Sequence, residues 1–219
     1  AAAFERLGSR GAAPIQLGAG AGDYFWPGVP LGLPGAWDFL AARGWPRVES
    51  SFDLARGLAD YATPDWVWER VPGIDLVQAL PQDAPAVLQM VESEYFEWLP
   101  YYARAFAEGR SGDVLFAKGT LASTCSANLV VGACLVESPA ERWAECFEQP
   151  VGAPACLLTA EAAQGRGIGM ALAARASEIL KERGCRTSFI GWTWLVDWYG
   201  KLGYRMWQEY AMSWQQGVE

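Results

Sequence analysis

Histidine is absent from the chain. That single absence excludes a Ser-His-Asp triad, an imidazole general base and every histidine metal site. Proton transfer is left to Tyr, Glu, Asp, Cys, water or the substrate. Lysine is scarce, occurring only at Lys118, Lys181 and Lys201, and the formal net charge is −8. With no run of Lys and Arg, a nucleic-acid partner is not expected. No apolar stretch reaches membrane-spanning length, so no membrane partner is expected. The five cysteines are an odd number without a CxxC pair. Reduced thiols in a cytoplasmic protein are the plain reading. Residues 1–6 lack the basic start and apolar run of a signal peptide.

What the chain does have is apolar bulk. It is 52% hydrophobic over 219 residues, with 12 Trp, enough for a packed core. Its most informative stretch is Gln164-Gly165-Arg166-Gly167-Ile168-Gly169, followed by an apolar helical run. A glycine-studded turn opening onto a helix aims backbone N–H groups at one point, and the helix dipole adds about half a positive charge there. Such a turn suits an anion, best a pyrophosphate. It is not a phosphate-binding loop of the Walker type, because no Gly-Lys-Ser/Thr follows. It is a poor dinucleotide fingerprint: Met170 stands where a third small residue belongs, and no acidic residue ends the strand at 187–191.

The rest of the chain supplies strands and helices in alternation. Ile15–Leu17 reads as a short strand, 18–34 as a loop containing Asp23–Pro30, 34–44 as a short helix and 48–58 as a strand. Residues 62–72 read as a linker, broken at Thr63-Pro64. A strand over 74–80 is followed by helices over 84–93 and 98–107. Strands are expected at 114–117, 129–136 and 156–159. The helix over 168–183 is the clearest, with Ile168, Leu172, Ala176, Ile179 and Leu180 on one face and Gly184 as its stop. A strand at 187–190, a short helix over 195–202 and an alternating strand through Tyr210, Met212 and Trp214 complete the chain. An internal repeat is visible: Asp38–Trp45 parallels Asp197–Tyr204, and Glu5–Arg10 echoes Lys181–Arg186.

These residues resemble the GCN5-related N-acetyltransferase (GNAT) superfamily. Gln164–Gly169 meets its Gln/Arg-x-x-Gly-x-Gly/Ala hallmark in full, and Tyr199-Gly200-Lys201-Leu202-Gly203-Tyr204 meets its second, Tyr-x-x-x-Gly-aromatic signature. The resemblance covers about 73–219. The repeat, with Phe25–Pro30, looks like the tandem-copy subgroup with an incomplete first copy. The organisation it implies is a partial, degenerate repeat over 1–61, a linker over 62–72 and a complete domain over 73–219. The implied fold is α/β (α+β): a mixed, mostly antiparallel twisted sheet flanked by helices, with a V-shaped splay between strands 4 and 5.

The resemblance also implies chemistry. Acetyl-CoA would be the co-substrate, without a metal, and a primary amine would attack its thioester directly. An amino sugar or other small amine is the preferred acceptor, a protein amine the second. Backbone groups of Leu157, Leu158 and Thr159 would hold the pantetheine arm. The turn from Gln164 through Gly165, Arg166, Gly167, Ile168 and Gly169 to Met170 would hold the phosphates. An N–H near Leu158 or Thr159 would stabilise the oxyanion. Tyr199 matches the family's proton donor to the thiolate; a tyrosine, with a reference pKa of about 10, is protonated at neutral pH. Two departures stand out. Ala153 lies where some members place a base, which leaves Glu161 as a candidate or as a solvated loop carboxylate. Trp192 replaces a frequent Asn and, with Trp194, offers an aromatic wall for an acceptor or plain packing. Glu92, Glu94 and Glu97 would attract a cationic amine or form a polar helix face. Cys156 and Cys185 are expected as small core residues. The partial copy has Leu40 where Tyr199 stands, so it is expected to be structural and to leave a strand edge that favours a homodimer. The rival to the enzyme is a non-catalytic acyl-CoA-binding or sensing module.

Overall fold

The computed structural model describes residues 15–18, 26–120, 129–140 and 145–215. The echo at Glu5–Arg10, the N-terminal hexapeptide and Asp23–Phe25 lie outside the described residues. In chain order the elements are β1 (Ile15–Leu17), β2 (Val29–Pro30), α1 (Ala36–Ala41), β3 (Glu49–Gly57), α2 (Asp65–Glu69), β4 (Asp75–Gln78), α3 (Ala84–Glu94) and α4 (Leu99–Ala107). There follow β5 (Val114–Gly119), β6 (Leu129–Glu137), β7 (Val151–Thr159), α5 (Ile168–Glu182), β8 (Thr187–Thr193), α6 (Val196–Gly200) and β9 (Arg205–Gln215). Among the described residues no helix is long and apolar enough to cross a membrane.

The chain divides into two compact units. One takes in the described residues through Ala55, with Gly191–Gly200 and the described residues from Tyr204; the other takes in those of Arg56–Ile190 and Lys201–Gly203. The larger unit is a mostly antiparallel open sheet flanked by helices, in the order β8-β7-β6-β5-β4. Strand alternation explains how both faces are covered. Ala133 and Leu135 of β6 join a core with Val87, Met90 and Val91 of α3 and Tyr102 and Ala105 of α4. Gly132, pointing the other way, meets α5: a Cβ there would lie 3.0 Å from Leu172 Cδ1 and 2.9 Å from the Leu158 carbonyl oxygen. Only glycine lets the helix sit that close. Ile168, Leu172, Ala176, Ile179 and Leu180 are all buried, as the 3.6-residue period predicts. The segment expected as a linker, 62–72, includes the helix α2, with Pro64 extended at its N-cap and Val67 buried.

In the smaller unit β9 is central. It pairs antiparallel with β1 (Ile15↔Gln215), β2 (Val29↔Ala211) and β3 (Glu49↔Met212 to Ala55↔Arg205). The helices α1 and α6 are each followed by a left-handed glycine, Gly44 at φ 80° and Gly203 at φ 83°.

Candidate active site

The glycine turn lies in the larger unit. Gly165 and Gly167 both take left-handed backbone, at φ 76° and 86°. Non-glycine residues adopt that region at a cost of about 1 kcal/mol or more. Here the glycines serve conformation first: a Cβ on Gly165 would meet nothing within 4 Å. Gly167 is the N-cap of α5, and no side chain caps it. The helix's first backbone bond at this end runs from the Ala171 N–H to the Gly167 carbonyl at 3.0 Å. The amides before it have no intrahelical acceptor and stand at the positive end of a 15-residue helix. Gln164, Gly165 and Arg166 are exposed, while Ile168 and Met170 anchor the turn from below. Gln164 Nε2 reaches the Thr159 carbonyl at 3.5 Å, and Arg166 Nη1 donates to the Thr120 carbonyl at 3.1 Å. Backbone donors, rather than a lysine, are what this turn offers an anion.

The strand leading into the turn is irregular, in two ways. It pairs in parallel with β8 only at Val151↔Thr187 and Gly152↔Ser188, and then the register ends. The two strands part from there, which is the splay expected between the fourth and fifth family strands. On its other edge, Ala133 faces Leu158 while Leu135 faces Ala155, so Cys156 and Leu157 stand against Cys134 alone. This is a β-bulge, and Cys156 sits in it at φ 49°. Its carbonyl accepts the hydroxyl of Tyr102 at 2.7 Å. Tyr102 is fully buried in the core. A bulge turns the local peptide planes, here next to the parting of the strands, with Leu158 still in register with Ala133 of β6. Leu158 itself anchors the bulge in the core, while Leu157 and Thr159 are half-buried.

The cysteines here are not nucleophiles. Burial pushes the Cys156 thiol up to about 12, and burial likewise raises Cys134. At neutral pH a thiol at about 12 holds roughly one thiolate in 10⁵. Glu161, the carboxylate offered as a base, is exposed and opens a single 3₁₀ turn, Glu161–Ala163. Its N–H donates to Glu94 Oε2 at 2.8 Å. So the structure brings Glu94, at the end of α3, and Glu161, just past β7, together at the mouth of the bulged strand. Ala153 is buried on β7.

The other three expected site residues belong to the smaller unit. Trp192 and Trp194 sit with ring centroids 6.5 Å apart at 51°. Trp192 is half-buried at φ 49°, and Trp194 is exposed. The strained Trp192 backbone is held by Asp53, whose Oδ1 accepts the Trp192 N–H at 2.8 Å and whose Oδ2 accepts the Tyr210 hydroxyl at 2.6 Å. Tyr199, on α6, is buried, edge-on to Trp198 at 4.7 Å and to Tyr204 at 5.7 Å. The packing fixes its ring.

Asp53 gives a pH signature. Burial raises its carboxyl above the ordinary value, against the lowering by the Tyr210 hydroxyl and the Trp192 N–H. The native state therefore keeps this proton to higher pH than the unfolded chain does. Stability from the group is greatest below the ordinary carboxylate range and declines as pH rises through the raised value. Asp53→Asn does not ionise. Its urea midpoint, relative to wild type, is expected to climb between about pH 3.5 and pH 7. A difference that stays constant across that range would contradict the assignment.

Nothing in the sequence signals the bulge, the Tyr102 bond or the Asp53 clamp. A buried tyrosine and a buried aspartate on amphipathic elements look like any others until their partners are known.

Residues 76–204 match the acetyltransferase (GNAT) family. The chain therefore belongs to that family, a class of N-acetyltransferase enzymes whose members use acetyl-CoA. In solved structures it is similar to the GCN5-related glucosamine N-acetyltransferase region of a fungal multi-domain GH3 β-N-acetylglucosaminidase. That match has 26% identity and a TM-score of 0.83, and covers 98% of this chain and 27% of that one. A GCN5-related N-acetyltransferase from Sphaerobacter thermophilus matches with 18% identity and a TM-score of 0.66, over 88% of this chain and 59% of that one. A tandem GNAT protein from the clavulanic acid biosynthesis pathway matches with 16% identity and a TM-score of 0.51, over 94% of this chain and 63% of that one. The last two likenesses are of fold alone. No match was found among curated proteins.

Proposed function

We propose that the chain moves the acetyl group of acetyl-CoA to the primary amine of an amino sugar by direct attack. The observation that carries the reading is the uncapped α5, opened by left-handed Gly165 and Gly167, directly after a bulged strand that parts from β8. The amides of Arg166, Gly167, Gly169 and Met170 hold the diphosphate, with Gln164, Gly165 and Ile168 shaping the turn. Backbone groups of Leu157, Leu158 and Thr159 hold the pantetheine arm, and a donor beside the bulge takes the oxyanion. The amine nitrogen attacks the thioester carbon, the C–S bond breaks, and Tyr199 protonates the departing thiolate. Glu161 takes the ammonium proton, directly or through water.

Two things support an amino-sugar acceptor. The similar fungal region is a glucosamine N-acetyltransferase, and Trp192 and Trp194 offer flat apolar faces of the kind on which sugar rings stack. Residues 1–61 fit the tail of a first tandem copy that binds no coenzyme and lends its strands to the structure. A homodimer through a remaining strand edge belongs to the same proposal.

The rival reading, a binding module without turnover, is favoured by Ala153, which leaves β7 without a carboxylate at the position where some relatives carry their base. Thiol release from acetyl-CoA with glucosamine, a polyamine and a lysine peptide separates the two. Turnover is expected with glucosamine first. Coenzyme binding with no thiol release on any amine would overturn the enzyme and favour the module.

A further inference from the structure

We infer that Arg70, outside both family signatures, is an additional ligand of the coenzyme's phosphates. The inference rests on the acetyl-CoA reading above. It starts from a close approach: a Cβ built on Gly167 would lie 3.1 Å from the Cβ of Arg70 and 3.8 Å from its carbonyl oxygen. The Arg70 side chain thus springs from the wall of the turn whose amides face the diphosphate. Its base is fixed. Arg70 is the C-cap of α2, between buried Val67 and buried Val71, and Val71 also approaches Gly167. The side chain is exposed, and among the described residues no hydrogen bond or ion pair engages its guanidinium.

Arginine's length, about 6–7 Å from Cα to the guanidinium nitrogens, is enough for the head group to reach the helix N-terminus, where a planar fork can take two phosphate oxygens. Arg166, the signature's own cation, already donates Nη1 to the Thr120 carbonyl. The chain as a whole carries a net charge of −8, which opposes the approach of a polyanion, so local cations must reverse the field at the turn. The segment between the two sequence repeats thereby acquires a role, since α2 delivers a cation to the coenzyme site.

The test is titration calorimetry with coenzyme A on wild type, Arg70→Ala, Arg70→Lys and Arg70→Glu, at low salt and in 0.5 M NaCl. Arg70→Ala is expected to raise Kd about tenfold at low salt, Arg70→Glu more, and Arg70→Lys is expected to recover most of the loss. The differences are expected to shrink in high salt. Melting temperatures should be unchanged, since the side chain is exposed. Wild-type affinity in both Arg70→Ala and Arg70→Glu would overturn the inference alone. So would a loss that does not respond to salt, because that marks a change of shape. A wild-type trace with no heat would fell the acetyl-CoA reading, and this inference with it.

Discussion

Tyr199→Phe is expected to lower kcat about 100-fold while leaving the affinity for coenzyme A unchanged. The physical case is a division of labour within one side chain. The ring is buried and held edge-on between Trp198 and Tyr204, and phenylalanine keeps those contacts. What disappears is the hydroxyl proton. The departing thiolate is the conjugate base of a thiol with a pKa of about 8.5, and a phenol near 10 stays protonated to supply it. Loss of a positioned general acid removes about 10²–10⁴-fold of rate. The check is a steady-state comparison of kcat in the two proteins, beside their affinities for coenzyme A by calorimetry. Equal kcat in the two proteins would remove Tyr199 from the chemistry and leave it as packing.

Tyr102→Phe is the second large effect. The Tyr102 hydroxyl holds the Cys156 carbonyl, and Cys156 is the left-handed residue of the bulge. Without that bond a buried carbonyl loses its donor, at about 1–3 kcal/mol, and the bulge loses the contact that sets its angle. On the proposed mechanism the oxyanion donor then points elsewhere, and a misplacement of about 1 Å is enough to lower a rate up to 10²-fold. The expected pattern is a drop of about 10–100-fold in kcat, with the affinity for coenzyme A itself kept, since the glycine turn is untouched. Acetyl-CoA should lose whatever advantage in affinity it has over coenzyme A. A variant that is merely less stable, with unchanged kcat at a temperature where it is folded, would contradict a positioning role.

The two signatures are legible because they are local. Gly165 and Gly167 announce left-handed backbone, and the spacing Ile168, Leu172, Ala176, Ile179 marks the buried face of α5, expected over 168–183 and found at Ile168–Glu182. Strand limits are harder. The sequence predicts β7 only from Cys156, yet it begins at Val151. Gly152 and Pro154 disguise its first half, and both have tertiary reasons. Gly152 lies against Leu180 of α5, where a Cβ would collide, and Pro154 pairs with Val136 where its missing N–H is tolerated. Likewise β9 begins at Arg205, five residues before the alternation becomes visible. Its first residues, Arg205, Met206 and Trp207, are all exposed, so no period-2 pattern marks them.

The features proposed to shape the chemistry are the least legible. Positive φ at Cys156 and Trp192 is imposed by partners far along the chain, Tyr102 and Asp53, and no composition cue marks a cysteine or a tryptophan for that conformation. Glu94 and Glu161 both stand out in the sequence as acidic candidates, but that they meet through one hydrogen bond is a fact of the fold. Arg70 lies in a segment with the composition of a linker, where only the close approach to Gly167 gives it meaning.

The most direct measurement is calorimetric titration of the pure chain with coenzyme A, beside Gly167→Val. In the wild type one site per chain is expected. In the variant, a β-branched residue must occupy φ 86° with its Cβ pressed on Arg70, so binding should fall at least tenfold. Absence of heat with the wild type, or equal binding by a folded Gly167→Val protein, would contradict a coenzyme held by the amides of the glycine turn.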